Sequence, residues 1–139
     1  MVEVNRLIQA GGDVNKQTEY GSTTLHAASE NGHAEVVDIL IQAGGQVNKQ
    51  DGKGATPLQL SSRKGHVVVT NILIQAGGEV NQKDGDGRTP LHYASGSGHV
   101  EVITALLAAG ADKTVKTTWL FGKTPHDVAK NQDCKNALE

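Results

Sequence analysis

Residues 34–45, AEVVDILIQAGG, place Val36, Val37, Ile39, Leu40 and Ile41 within six positions and then stop at two glycines. That density gives a broad apolar face at helical period, and it predicts a helix ended at Gly44. The run returns 33 residues later as VVVTNILIQAGG and again as VEVITALLAAGA, stopped by Gly77 and Gly110. Its tail also opens the chain: LIQAGGDVNKQ at Leu7 matches LIQAGGQVNKQ at Leu40 and LIQAGGEVNQK at Leu73. A second phrase precedes each run, starting at Gly21, Gly54 and Gly87: GSTTLHAASENGH, GATPLQLSSRKGH and GRTPLHYASGSGH. A shortened copy, GKTPHDVAKNQ, starts at Gly122.

The second phrase predicts a short helix. Thr56 and Thr89 stand where an N-cap needs a hydroxyl, and Pro57 and Pro90 fill the first helical position, where a missing N–H costs nothing. Gly65 and Gly98 supply the left-handed residue that ends it. Segments such as GQVNKQDGKG are rich in Gly, Asn and Asp and read as a turn or hairpin. One unit is therefore helix, turn, helix, hairpin. No unit can bury its apolar faces alone, so neighbours must stack.

A 33-residue period carrying TPLH, GH, an aliphatic helix, Gly-Gly or Gly-Ala, and VN resembles the ankyrin repeat family over essentially the whole chain. The resemblance implies an all-α solenoid with short hairpin fingers and first helices lining a concave face. It divides residues 1–139 into one array: an N-terminal half-repeat at 1–17, full repeats at 18–50, 51–83 and 84–118, and a shortened repeat at 119–139. The chain departs from the family pattern at Thr24 (usually Pro), Gln59 (usually His) and Lys113-Thr114 (usually Val-Asn). Gly-Gly at 11–12, 44–45 and 77–78, where the family favours Gly-Ala, points to internal duplication. Because Leu7 aligns with Leu40, Met1 falls at the start of a second helix, and an excerpt of a longer array is the expected explanation over a bare half-repeat cap.

Composition narrows the core. With 17 glycines, 3 prolines and only Tyr20, Tyr93, Trp119 and Phe121 as aromatics, the interior must be Val, Ile, Leu and Ala. A formal charge of -2 gives no whole-chain pull toward nucleic acid or an anionic membrane, and neither is an expected partner. Cys134 is the only cysteine, so no internal disulfide exists and a reducing compartment fits. No apolar stretch is long enough to span a bilayer, and MVEVNRLIQAGG lacks signal-peptide character. Cytoplasmic or nuclear residence is expected, as a monomer.

The candidate chemistry is sparse. His26 and His92 sit in TTLH and TPLH, and His33, His66 and His99 in GH. Stacked helices lie about 8–10 Å apart, whereas zinc ligands place each nitrogen about 2.0–2.1 Å from the metal. These histidines therefore read as bonded to neighbouring backbone. His126 stands where a core Leu is usual, in a last unit partly open to solvent. Cys134 has no setting that would activate it, Ser29, Ser61, Ser62 and Ser95 fill a small-residue slot, and Asp84 and Asp86 belong to a turn. A phosphate loop and the closing ligand of a calcium loop are both missing. No catalytic residue, metal ligand or cofactor is expected, and an enzyme is not.

Other positions vary while the frame repeats. They are Glu19, Tyr20, Ser22, Glu30 and Asn31 in the first full unit, and Gly52, Lys53, Ala55, Arg63 and Lys64 in the second. The third carries Gly85, Asp86, Arg88, Gly96 and Ser97, and the fourth Leu120, Phe121, Lys123, Asn131 and Gln132. These match the contact positions that the family resemblance implies, and they point to another protein as partner. Tyr20, Trp119, Leu120 and Phe121 are the candidate anchors, since interface hot spots favour large rings with few rotatable bonds. Gly87 to Gly122 spans 35 residues, so the last finger is longer by two and ends in TTWLF. Trp119 either projects there as a contact or folds back over the preceding finger. Tyr93, inside a first helix, is expected to be packed. Lys53, Arg63, Lys64, Lys83, Arg88, Lys116 and Lys123 form a basic strip against Glu19, Glu30 and Asp86, which suits a partner with an acidic segment. A spacer within a longer array is the alternative. Asn15, Asn48 and Asn81 are expected to bond turn backbone, and the resemblance also makes them possible substrates of asparagine hydroxylation.

Overall fold

A computed structural model of the chain describes residues 12–119 and 121–139. Eight helices occur among them: α1 (Thr24–Glu30), α2 (Ala34–Gln42), α3 (Pro57–Lys64), α4 (Val67–Gln75), α5 (Pro90–Ser97), α6 (Val100–Ala108), α7 (Pro125–Val128) and α8 (Gln132–Ala137). They form two rows. The inner row packs α1 on α3, α3 on α5 and α5 on α7, and the outer row packs α2 on α4, α4 on α6 and α6 on α8.

The inner helices start as the caps require. Thr23, Thr56, Thr89 and Thr124 each accept the backbone N–H three residues on, and His26, Gln59, His92 and Asp127 return the bond to the cap. Thr24 in place of Pro leaves this arrangement intact, because the cap hydroxyl and the residue at the third helical position carry it. Gly65 closes α3 at φ 77°, and a Cβ there would lie 2.5 Å from Nδ1 of His99. Glycine is needed at that position on both counts. Gly44, Gly77 and Gly110 take left-handed φ just beyond the outer helices, where the pattern placed their ends.

The core is aliphatic. Leu25, Leu58, Leu91, Val37, Val69, Leu73, Val102, Ile103 and Leu106 are buried along the seam between the rows. Each such side chain stabilises the stack by about 1.5–3 kcal/mol relative to exposure. The seam runs from unit to unit, so each unit completes the core of the next.

Polar side chains stitch the units together. The Thr23 N–H donates to Nδ1 of His26 at 3.1 Å, which leaves Nε2 to donate to the Ala55 carbonyl at 3.0 Å. His92 reaches the Lys123 carbonyl at 2.7 Å in the same way. Gln59 substitutes for histidine by donating to the Gln82 and Arg88 carbonyls at 2.7 and 2.9 Å. His66 and His99 reach back to the carbonyls of Glu30 and Arg63 at 2.9 and 3.0 Å. Asn15, Asn48 and Asn81 also act across units. Asn48, for example, donates to the Gly77 carbonyl at 3.0 Å and accepts the Glu79 N–H at 2.8 Å. The expectation that they bond turn backbone is thus met by the following unit's turn.

The expected hairpins are turns, with no strand among the described residues. Each finger is pinched at its base by one backbone–backbone bond: Thr18 N–H to Ser22 O, Asp51 N–H to Ala55 O, Asp84 N–H to Arg88 O and Thr117 N–H to Lys123 O. Finger meets finger through single backbone–backbone bonds as well, from Gly52 to the Tyr20 carbonyl at 2.8 Å, Gly85 to Lys53 at 3.0 Å and Thr118 to Asp86 at 3.0 Å. One bond per crossing makes no sheet ladder.

Candidate functional site

Fingers and inner helices enclose a groove of about 980 Å³ lined by Tyr20, Ser22, Glu30, Lys53, Leu60, Arg63, Arg88 and Tyr93 among others. A second depression of about 270 Å³ continues from it, sharing Arg63, Arg88 and Tyr93 and adding Gly96, Ser97, Thr117 and Val128. The inner-helix register sets this order. Leu60, Tyr93 and Val128 occupy equivalent positions in successive units, so one row of side chains lines the two depressions.

A charged knot holds its centre. Tyr93 Oη donates to Asp84 Oδ2 at 2.5 Å, and Nε of Arg88 donates to the same oxygen at 2.9 Å. Asp84 Oδ1 accepts the backbone N–H groups of Asp86 and Arg88, each at 2.9 Å. Burial pushes the Asp84 carboxyl up, but these donors and the Arg88 charge outweigh it and hold the group below the usual carboxylate range. Burial and the bond to Asp84 push the Tyr93 phenol well above its ordinary value. Burial pushes Arg88 down, but the Asp84 carboxylate, by its charge and hydrogen bond, and the Asp86 charge oppose it, so Arg88 stays charged. Its guanidinium carbon stands 4.9 Å from the centroid of the Tyr93 ring, and that of Arg63 6.0 Å. Arg63 in turn donates to Glu30 at 2.8 Å. Nearby, burial holds the His92 imidazole below its ordinary value, with the bond to the Lys123 carbonyl opposing in part.

The candidate contact residues divide by position. Tyr20, Ser22, Glu19, Glu30, Lys53, Arg63 and Arg88 meet around the larger groove, and Ser97 lies in the smaller one. Asn31, Lys64, Asp86 and Lys123 are exposed but line neither. Ala55 lines the groove yet is only 3 % exposed, so it is floor and not contact surface. The finger base folds it under, because its N–H binds Asp84's counterpart Asp51 and its carbonyl binds His26. Trp119 is 63 % exposed, which decides against its folding back to close the stack. Leu120 lies outside the described residues. Phe121 is 95 % exposed at φ 68°, a left-handed conformation costing about 1–2 kcal/mol for a residue with a side chain.

The basic strip is less bare than the sequence suggests, since Arg63 and Arg88 already pair with Glu30, Asp84 and Asp86. Tyr93 is packed, as expected, but it also floors both depressions, and Asp84 anchors it. The signal for Tyr93 was its place in the floor row beside Leu60. Nothing local in the turn marked Asp84 apart from Asp51. Cys134 is buried, and burial pushes its thiol up, away from the nucleophilic range. Among the described residues no helix is long and apolar enough to cross a membrane.

A family model described as "Ankyrin repeats (3 copies)" matches residues 3–84 and 44–117. No curated protein matches the chain.

Proposed function

This chain belongs to the ankyrin repeat family, and we propose that it binds a partner protein through its fingers and the groove beside them, without catalysis. Ankyrin repeats are generally protein–protein interaction modules and generally non-catalytic. One observation carries the finer reading. Of the four large hydrophobic side chains left exposed among the described residues, Tyr20, Trp119 and Phe121 all stand on fingers, with Val68 the exception. Exposed rings on the first and last fingers are the side chains that interface hot spots favour. Glu19, Asn31, Lys53, Lys64, Asp86, Arg88, Arg63 and Lys123 form the polar rim, and an acidic segment of the partner suits the arginines and lysines. The proposed module is monomeric and resides in the cytoplasm or nucleus, with repeats at 18–50, 51–83 and 84–118.

Affinity capture from a cell lysate tests this. The intact chain is compared with a variant carrying Tyr20, Trp119 and Phe121 changed to Ala, after circular dichroism has shown both equally folded. A protein retained by the first and lost by the second supports the reading. Identical captures sink it and favour a spacer within a longer array.

A further inference from the structure

The smaller depression exists because residue 96 is glycine. At the equivalent positions of the two preceding units stand Glu30 and Arg63, which bond to each other across the groove at 2.8 Å. Gly96 lies within α5 and has no left-handed φ. A Cβ there would meet nothing nearer than the Val128 carbonyl oxygen at 3.9 Å. Neither backbone nor packing asks for glycine, which is a poor helix residue. Its effect is to leave an edge of the Tyr93 ring, 8 % exposed, beside half-buried Val128 in a cleft of about 270 Å³. Pockets for drug-sized ligands run about 300–1,000 Å³, so this one suits a single side chain.

The cleft is walled by the guanidinium groups of Arg63 and Arg88, whose carboxylate partners, Glu30, Asp84 and Asp86, lie outside its lining. Arg63 uses one Nη on Glu30, and Arg88 uses Nε on Asp84 and one Nη on Asp86. Nη1 of each has no partner among the described residues. Both side chains remain more than 40 % exposed, at 42 % and 44 %. A carboxylate brought beside the cleft meets two guanidinium groups held in place by the Tyr93 face and by their own ion pairs.

We propose that this cleft is a recognition pocket for one large apolar side chain of a partner protein, with Arg63 and Arg88 binding a carboxylate next to it in the partner's chain. The inference rests on the reading that this face binds protein, and it adds what the partner must present. It also assigns Gly96, Tyr93 and Val128 a recognition role.

The test is selection of random phage-displayed peptides on the full chain, followed by fluorescence anisotropy with the enriched peptides, fluorescein-labelled. Enriched sequences are expected to share an aromatic or large aliphatic residue adjacent to Asp or Glu. Gly96→Leu fills the cleft and should weaken them by about tenfold or more. Gly96→Ala, whose methyl has room, should weaken them less and guards against a folding defect in the larger variant. Changing the peptide's acidic residue to Lys should abolish binding, while the triple finger variant should still bind. Peptides without the apolar–acidic pair, peptides indifferent to Gly96→Leu, or no enrichment overturn the proposal. If such peptides fail only on the finger variant, the protein-binding reading stands without the cleft; if neither variant matters, both fall.

Discussion

Changing Tyr93 to Phe removes one oxygen and leaves the ring that floors the groove. That oxygen donates to Asp84 Oδ2 at 2.5 Å, and the Asp84 side chain is fully buried, at 0 % exposure. Hydrogen bonds to a charged group stabilise a fold by about 1.5–3 kcal/mol. Arg88 still serves the same oxygen and two backbone N–H groups serve the other, so the lower half of that range is expected. Equilibrium urea unfolding followed by far-UV circular dichroism reads the difference. The pH dependence follows from Asp84, whose folded pKa lies below its ordinary 3.8. A depressed carboxyl contributes stability that is present above the unfolded value and lost as pH falls through the folded one. Removing the Tyr93 bond leaves the upward push of burial less opposed, so the variant's Asp84 protonates at higher pH. The gap between the two proteins should be full at pH 7 and narrow as Asp84 protonates in both. A loss below about 0.5 kcal/mol, the size of an ordinary surface change, or a gap that does not narrow in acid, would refute the reasoning.

Two further substitutions test the frame. Burial holds the folded His92 below 6.5. Its contribution is therefore fully present above 6.5 and lost as pH falls through the folded value. His92→Gln, which copies Gln59, should keep the cap and the link to Lys123 while reducing the fall in urea midpoint between pH 7.5 and 5; equal acid sensitivity would contradict the assignment. Gly65→Ala and Gly96→Ala should move in opposite directions. The first places a Cβ against His99 at φ 77° and should cost at least about 1–2 kcal/mol. The second, in open helix, should stabilise by about 0.5–1 kcal/mol, and matching signs in thermal melts would show that the two sites were misjudged.

The stack was legible because its signals are local. A threonine followed by proline, a glycine at the end of eight residues and an aliphatic run each act within a turn or two, and repetition reinforced them. Gln59 was legible as a departure, and its tolerance follows from an amide that both accepts at the cap and donates onward. The groove was only partly legible. Ala55 shares a register position with Ser22 and Arg88, but register does not say which side chain the finger base folds under. Tyr93 and Asp84 meet only when the third finger folds over its own inner helix, nine residues apart in sequence. The fingers looked like hairpins because turn chemistry is the same in both, and only the count of bonds between neighbours separates them.

Site-specific photo-crosslinking tests the central claim most directly. A benzoylphenylalanine placed in turn at Tyr20, Ser97 and Phe121 samples the fingers and groove, and one at Glu35 and Glu101 samples the exposed side of α2 and α6. In lysate, the first three positions should crosslink to one common protein and the outer two should not. A common partner captured from Glu35 and Glu101, with nothing from the fingers or groove, would place recognition on the opposite face and contradict the account.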